Sequence, residues 1–158
     1  MRPSKITKSE LDILNDFVTK VNESIIKKSG GALGTVNIGN LSFALWKSLS
    51  LAKKELHKKE FHKIWATNAV CEIAQLHPFT DGNKRTSYVI SKLILYLGGL
   101  DFEVDYEKAT EYLIKIASKK IHYDEVYNWI EKHSKEHEME ITPETQELLD
   151  MLSSAVGE

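Results

Sequence analysis

The sequence predicts an all-α fold, and three observations support this prediction. Apolar residues recur at steps of three and four along most of the 158-residue chain, as they do on the buried face of a helix. The eight glycines cluster where those stretches end. Strict alternation of apolar and polar residues is nearly absent, and residues 100–104 are the one candidate strand. A chain of this length can bury a hydrophobic core of its own.

A capping box opens the first predicted helix, because Thr7 and Glu10 stand three residues apart ahead of an apolar stripe. Gly30 and Gly31 should end this helix, whose stripe consists of Leu11, Leu14, Val18, Val21 and Ile25. A loop rich in glycine and asparagine, residues 34–40, then leads into a second helix. The apolar residues of that helix are Leu41, Phe43, Leu45, Trp46 and Leu49.

The third and fourth predicted helices flank a polar segment at residues 77–85. The third has a single apolar stripe, formed by Phe61, Trp65, Ala69, Ile73 and Leu76. The fourth is apolar around most of its circumference, which predicts a central, buried helix. Its apolar residues are Val89, Ile90, Leu93, Ile94, Leu95 and Leu97, and Gly98 should close it.

Two further helices complete the predicted domain. Asp105 is a suitable N-cap for the first, which carries Ala109, Tyr112, Leu113, Ile116 and Ala117. The second spans residues 123–133 and carries Val126, Trp129 and Ile130. Residues 1–135 are therefore predicted to form one domain. Residues 136–158 are predicted to be a polar linker and a short amphipathic helix, which either packs on the domain, mediates self-association or covers the active site.

Composition excludes several classes of partner. The formal net charge is −2, from 21 basic and 23 acidic residues, so the sequence gives no electrostatic argument for nucleic acid or an anionic membrane. The single cysteine, Cys71, cannot form an intrachain disulfide and is interpreted as a packing residue. The N-terminus lacks the apolar segment of a signal peptide, and no stretch approaches the roughly 20 apolar residues of a membrane span. We therefore expect a cytoplasmic protein.

The segment at residues 77–85 has the ingredients of a phosphate site. It should join the third and fourth helices, so the backbone N–H groups of Gly82, Asn83 and Lys84 would be the unpaired donors of a helix N-terminus. Such an end binds anions through those donors and the helix dipole. Lys84 and Arg85 add positive charge where the dipole favours acidic residues, which indicates that an anion binds there.

The other side chains of this segment suit nucleotide chemistry. Asp81 can hold Mg²⁺ together with nucleotide phosphates, and His77 is a suitable general base for a hydroxyl nucleophile. Asn83 can donate from its amide to a phosphate oxygen, and Arg85 can clamp two oxygens at once. Taken singly, these residues are more often structural, because Asp-Gly-Asn is also ordinary turn chemistry.

The order and spacing of residues 77–85 resemble the signature of the Fic/Doc family, His-Pro-Phe-x-Asp/Glu-Gly-Asn-x-Arg, at every defined position. A weaker resemblance to Doc-like members lies in the glycine-rich residues 30–45. An Arg-Asp pair usually stands there where this chain has Val36 and Asn37. Together the resemblance covers residues 11–133.

The resemblance implies a helical fold whose signature loop joins two core helices, and a transferase that modifies a Ser, Thr or Tyr hydroxyl of a target protein. ATP would be the co-substrate, with Mg²⁺ bound by Asp81. His77 would deprotonate the hydroxyl, and Phe79 would anchor the loop in the core. Gly82, Asn83 and Lys84 would form the anion hole, while Arg85 would hold the phosphates.

Two departures from the AMP-transferring members favour the Doc-like class, which transfers a phosphoryl group to a translation factor as a toxin-type regulator. Lys84 stands where those members carry Gly, and Tyr88 stands where they carry a second Arg. Gly82, however, follows their pattern and not the Ala of Doc, so AMP transfer stays open. A non-catalytic helical binding module that retains the motif is a second alternative.

The resemblance also bears on regulation and target alignment. No glutamate of this chain is followed by Gly or Asn, so the self-inhibitory pattern of many Fic proteins is missing, and restraint would come from a separate antitoxin or another mechanism. The flap that aligns the target in this family, a short β-hairpin, would correspond to residues 50–59. The alternative for that stretch is a solvated, lysine-rich helix end.

Overall fold

The computed structural model describes residues 6–55 and 58–137, together with residues 143, 146, 147 and 150. The described chain forms six helices and one small antiparallel strand pair, so the all-α prediction is confirmed. The helices are α1 (Lys8–Ser29), α2 (Ile38–Lys53), α3 (Phe61–Leu76), α4 (Asn83–Leu97), α5 (Tyr106–Ala117) and α6 (Tyr123–Lys132). The strands are β1 (Leu100–Phe102) and β2 (Ser134–Glu136). No helix among the described residues is long and apolar enough to cross a membrane.

Local sequence sets the helix ends. Thr7 Oγ1 accepts from the backbone N of Glu10 at 3.1 Å, and Glu10 Oε1 accepts from the backbone N of Thr7 at 3.3 Å, which confirms the capping box. Asp105 caps α5 as predicted, since its Oδ1 accepts from the backbone N of Lys108 at 2.9 Å. Asn37 caps α2 by accepting from the backbone N of Asn40 at 3.0 Å. The predicted loop therefore ends at Asn37, and residues 38–40 are already helical.

Among the described helices α3 is the most deeply buried, and α4, the predicted central helix, packs along it as a second core helix. α3 packs against α2, α4, α5 and α6. It contributes small or polar buried residues such as Ala66, Thr67 and Ala74, which apolar periodicity does not detect. Thr67 satisfies its own hydroxyl by donating to Lys63 O at 2.7 Å. In α4, Ile90, Ile94 and Leu95 are buried, whereas Val89, Leu93 and Leu97 are only half-buried.

The strand pair lies elsewhere than the predicted flap. β1 pairs with β2 antiparallel, with Leu100 opposite Glu136 and Phe102 opposite Ser134. Residues 50–53, at the predicted flap, belong to α2, and residues 56 and 57 lie outside the described part of the chain. The end of α2 is less solvated than expected, because Lys53 is 3% exposed and its Nζ lies 3.2 Å from Glu10 Oε2.

The predicted boundary between the domain and the C-terminal segment, after residue 135, falls within β2 (Ser134–Glu136). The first residue of the predicted segment therefore belongs to the strand pair. Within the predicted tail helix, the described residues Pro143, Gln146, Glu147 and Asp150 are helical and exposed. Its predicted apolar residues, Leu148, Leu149, Met151 and Leu152, lie outside the described residues.

Candidate active site

The loop between α3 and α4 carries predicted site residues at its two ends, the catalytic His77 and the phosphate-binding Gly82. His77 ends α3 in the left-handed conformation, with φ 46° and ψ 57°, and its side chain is exposed. This conformation costs a non-glycine residue roughly 1–2 kcal/mol, so the surrounding contacts must hold it in place. Gly82 begins α4, also left-handed, with φ 74° and ψ 19°. The two left-handed residues turn the chain sharply from one core helix into the next.

The glycine-rich loop before α2 holds this turn through backbone hydrogen bonds. Val36 N and Asn37 N donate to Pro78 O at 2.8 and 3.2 Å, and Thr80 N donates to Gly34 O at 2.9 Å. Asn40 Nδ2 donates to Leu76 O at 3.1 Å and so satisfies a carbonyl at the C-terminus of α3. The two segments that resemble the family are therefore in direct contact, although about 40 residues separate them in the sequence.

Phe79 and Asn83 stabilise the loop by core packing and by two hydrogen bonds to each other. Phe79 is 2% exposed and packs in the core. Its backbone N donates to Asn83 Oδ1, and its carbonyl accepts from Asn83 Nδ2, both at 2.9 Å. The Asn83 amide therefore holds the loop closed with its oxygen and one of its two N–H donors, a role that the sequence did not predict. The backbone N–H of Asn83 remains at the helix N-terminus.

The Asp81 carboxylate is exposed and held by backbone donors. Its Oδ1 accepts from Gly82 N at 2.9 Å, and its Oδ2 accepts from Ala32 N at 3.3 Å. Gly31 allows this approach, because a Cβ at that position, where φ is +122°, would lie 2.6 Å from Asp81 Oδ2. The sequence indicated Gly31 as part of a helix stop and of the glycine-rich stretch, but not its place beside the carboxylate.

Asn22 of α1 is a second residue that sequence analysis missed. It is 2% exposed, and its Nδ2 donates to Asp81 O at 2.9 Å and to Thr86 Oγ1 at 3.1 Å. One side chain thus ties α1 to both the loop and the first turn of α4. The sequence did contain a signal for Asn22, namely a polar residue on an otherwise apolar helix face. Asn22 lies four residues after Val18 and four before Ile26 on α1.

The N-terminus of α4 has no side-chain cap and no acidic residue in its first turn. Thr86 N makes the first intrahelical bond, to Gly82 O at 2.8 Å, so the backbone N–H groups of Asn83, Lys84 and Arg85 precede the helical ladder. The prediction that the Gly82 N–H is unpaired is wrong, because this group donates to Asp81 Oδ1. The guanidinium carbon of Arg85 lies 4.3 Å from the centroid of the Tyr106 ring, a cation–π contact. Tyr106, a residue not predicted for the site, therefore positions the side chain of Arg85.

Tyr88 faces the core. It is 7% exposed, and its hydroxyl donates to Val104 O at 2.6 Å. Burial, with a smaller contribution from the charge of Asp105, raises the pKa of the Tyr88 hydroxyl. The position therefore brings no cation to the loop. Cys71 is also buried, as its interpretation as a packing residue requires, and burial raises the pKa of its thiol to about 12.

The residues of the loop fit a magnesium ion bound with a nucleotide. Among the described residues, no group of three or more His, Cys, Asp or Glu side chains could hold a metal by itself. Asp81 offers an exposed carboxylate with lone pairs to spare, and Mg²⁺ in proteins commonly takes one or two carboxylates and completes its shell with phosphate oxygens and water.

Comparison with known proteins agrees with this geometry. The model of one family, described as the Fic/DOC family, matches residues 12–95, which is more than half of the chain. The match spans most of α1, all of α2 and α3, the loop and nearly all of α4. No curated protein matches the chain. The family match and the intact signature loop together show that this chain belongs to the Fic/Doc family.

Proposed function

We propose that the protein transfers a phosphoryl group from ATP to a Ser, Thr or Tyr hydroxyl of another protein. Membership of the Fic/Doc family supports a protein-modifying transferase as the kind of function. The observation that carries the finer proposal is the N-terminus of α4. There, uncapped backbone donors and two cations directly follow His77 and Asp81 in one loop.

In the proposed reaction, the hydroxyl oxygen of the target forms a bond to the γ-phosphorus of ATP. The bond from that phosphorus to the β–γ bridging oxygen breaks, and ADP leaves. His77 accepts the hydroxyl proton, since its exposed side chain is open to an incoming protein. The backbone N–H groups that open α4 donate to phosphate oxygens, and Lys84 and Arg85 neutralise their charge. Catalysis of this kind depends mostly on positioning and charge stabilisation.

Asp81 would hold Mg²⁺, which when bound offsets the negative charge of the phosphates. Three hydrogen bonds within the chain support this assignment. The backbone N–H groups of Ala32 and Gly82 orient the carboxylate, and Asn22 holds the backbone of the same residue.

The choice of phosphoryl transfer over AMP transfer is supported by Lys84 and Tyr88. Lys84 adds a cation in the first turn of α4, while Tyr88 is buried and bonded to Val104 O. Gly82 does not favour AMP transfer here, because the local backbone conformation and packing explain why glycine occupies this position. A Cβ at position 82, where φ is +74°, would lie 3.0 Å from Ile26 Cδ1.

Labelled ATP tests the proposal. The protein is incubated with a cell extract and with ATP labelled at either the α or the γ phosphorus. We expect γ label on a protein target, abolished by His77→Ala and retained by His122→Ala, a histidine that is also exposed but lies at the start of α6. Label from the α position would instead establish AMP transfer.

The same experiment addresses the binding-module alternative and the target. No label from either position, with equal growth inhibition by the wild type and His77→Ala, would indicate a module without turnover. Mass spectrometry of the labelled band identifies the target, which we propose to be a translation factor. A separate antitoxin would supply the restraint, and co-expression of candidate partners should then relieve growth inhibition.

A further inference from the structure

An apolar groove of about 400 Å³ lies between α1 and α4. Its apolar lining comes from both helices and consists of Phe17, Val21, Ile25, Val89 and Leu93. A smaller groove of about 280 Å³ shares Val89 and Leu93 and extends along α4 to Tyr96. Except for Phe17, these apolar side chains are only half-buried. A continuous apolar surface of this kind is a candidate docking site.

The rim of this α1–α4 groove is positively charged. Lys20 and Lys28 line it from α1, and Lys92 lines it from α4. The described lining residues include no Asp or Glu. An apolar floor between lysines fits an amphipathic segment that carries acidic residues beside its apolar face.

The C-terminal segment of this chain combines acidic residues with an apolar helix face. Residues 138–158 contain six acidic residues and no Lys or Arg. In helical register, Leu148, Leu149 and Leu152 share one face. The described helical residues Pro143, Gln146, Glu147 and Asp150 fall on the opposite face, and all four are exposed.

The chain enters this segment at one end of the groove. The ring of His137 stacks on Tyr96, with centroids 4.2 Å apart and an interplanar angle of 13°. His137 N also donates to Gly99 O at 3.1 Å. The last residue before the tail is therefore anchored on a residue that lines the groove.

The length of the predicted tail helix also matches the length of the groove. A helix over residues 143–152 would be about 15 Å long, and α1 along the groove, residues 17–28, measures about 18 Å at the same rise per residue. The linker between His137 and Pro143 can span up to roughly 20 Å. A tail helix can therefore lie along the groove without strain in the linker.

We propose that residues 138–158 bind the α1–α4 groove of their own chain. Leu148, Leu149 and Leu152 lie on its apolar floor, and the acidic residues lie beside Lys20, Lys28 and Lys92. The docked segment contacts both α1 and α4 and so stabilises their packing. These two helices position the signature loop, since Asn22 of α1 donates to Asp81 in the loop and to Thr86 of α4. This docking requires no transferase activity.

Cross-linking in the full chain tests the proposal. Thr145 shares the apolar face of the tail helix, so Thr145→Cys is combined with Ser24→Cys, which lines the groove. The matched control pairs Thr145→Cys with Glu23→Cys, the exposed neighbour on α1 that does not line the groove. Cys71 stays in place because it is buried and its raised pKa suppresses the reactive thiolate. A short bis-maleimide is added, and intramolecular cross-links are quantified by mass spectrometry.

We expect the Ser24 pair to cross-link on the order of tenfold faster than the Glu23 pair, because docking raises the effective concentration of the tethered thiol. Replacing Lys20, Lys28 and Lys92 by Glu should remove that difference. Equal rates for the two pairs would overturn the proposal. A cross-linked dimer in place of the monomer would also overturn it, and would indicate that the groove receives a second copy of the chain.

Discussion

Close approach of a neighbouring side chain explains why glycine is needed beside the signature loop. Gly31 is the clearest case, because the space that a side chain would occupy is filled by the carboxylate of Asp81. Its neighbour Gly30 has φ +81° but nothing within 4 Å of a Cβ. Alanine at position 30 would therefore introduce backbone strain alone, whereas alanine at position 31 would introduce strain and also displace Asp81.

Gly31→Ala should abolish transfer while lowering stability only moderately. The new Cβ pushes Asp81 away from Ala32 N, and the left-handed backbone costs about 1–2 kcal/mol. Gly30→Ala should show a similar stability loss with activity retained. Target labelling with radioactive ATP and thermal unfolding of both variants provide the measurement. Full activity of Gly31→Ala would show that the Asp81 position is not needed.

At the scale of elements, α1 is joined to the loop and to α4 by one buried amide. Asn22→Ala removes both of its hydrogen bonds and leaves the buried hydroxyl of Thr86 without this partner. We expect a loss of about 3 kcal/mol in the free energy of unfolding together with a lower rate of transfer, because an unsatisfied buried group costs about 1–3 kcal/mol.

Asn15→Ala is the matched control for Asn22→Ala. Asn15 lies on the same helix and donates to Ser42 Oγ at 3.0 Å, remote in sequence from the loop. Its loss should lower stability without lowering the rate of transfer per folded molecule. Urea unfolding gives the stability, and labelling per folded molecule gives the rate. If both variants lose activity equally, Asn22 has no special role in the site.

The start of α1 and the end of α2 are joined by an ion pair between the buried Lys53 and the half-buried Glu10. Burial opposes the charge of Glu10, but hydrogen bonds from Lys53 and Thr7 outweigh it and lower the pKa of the carboxyl. A lowered folded-state pKa stabilises the protein above the ordinary Glu value of about 4.3, and that stabilisation is lost as pH falls through the folded value.

Glu10→Gln should therefore lower stability at neutral pH, by about 3 kcal/mol, because it leaves the buried Lys53 without its counter-charge. Glutamine keeps the capping box, so the change isolates the charge. The variant should lose less additional stability below pH 4.3 than the wild type, as measured by urea unfolding across pH. Glu55→Gln, which breaks an exposed pair with Lys58, should behave like the wild type.

At the scale of the whole molecule, one hydrophobic core receives residues from all six described helices and from β1. Leu49 of α2 and Leu113 of α5 are both fully buried in it. A single shared core predicts one cooperative unfolding transition.

Leu49→Ala and Leu113→Ala should each lower the stability of that one transition by about 2–5 kcal/mol, because each leaves a cavity. Ile114→Ala, the 50% exposed neighbour, should change stability by less than about 0.5 kcal/mol. Circular dichroism and tryptophan fluorescence, to which the buried Trp65 contributes, should report the same midpoint. Separate midpoints would show that the helices do not unfold as one unit.

The sequence alone determined the helices, the caps of α1 and α5, and the identity of the signature loop. Periodicity and capping act over a few residues, so Thr7 with Glu10, and Asp105 with Lys108, could be paired without knowledge of the fold. The motif at residues 77–85 predicted the family for the same reason, since its chemistry is contiguous.

Only the tertiary structure decided which side chains hold the loop and which remain for a ligand. Asn22 and Asp81 are 59 residues apart, and their contact depends on how α1 packs on α4. Packing also turned the Asn83 amide onto the backbone of Phe79, buried Tyr88 and Lys53, and placed α3 at the centre through its small residues. A hydrogen-bond partner or a buried face depends on which elements approach each other, and local sequence patterns do not contain that information.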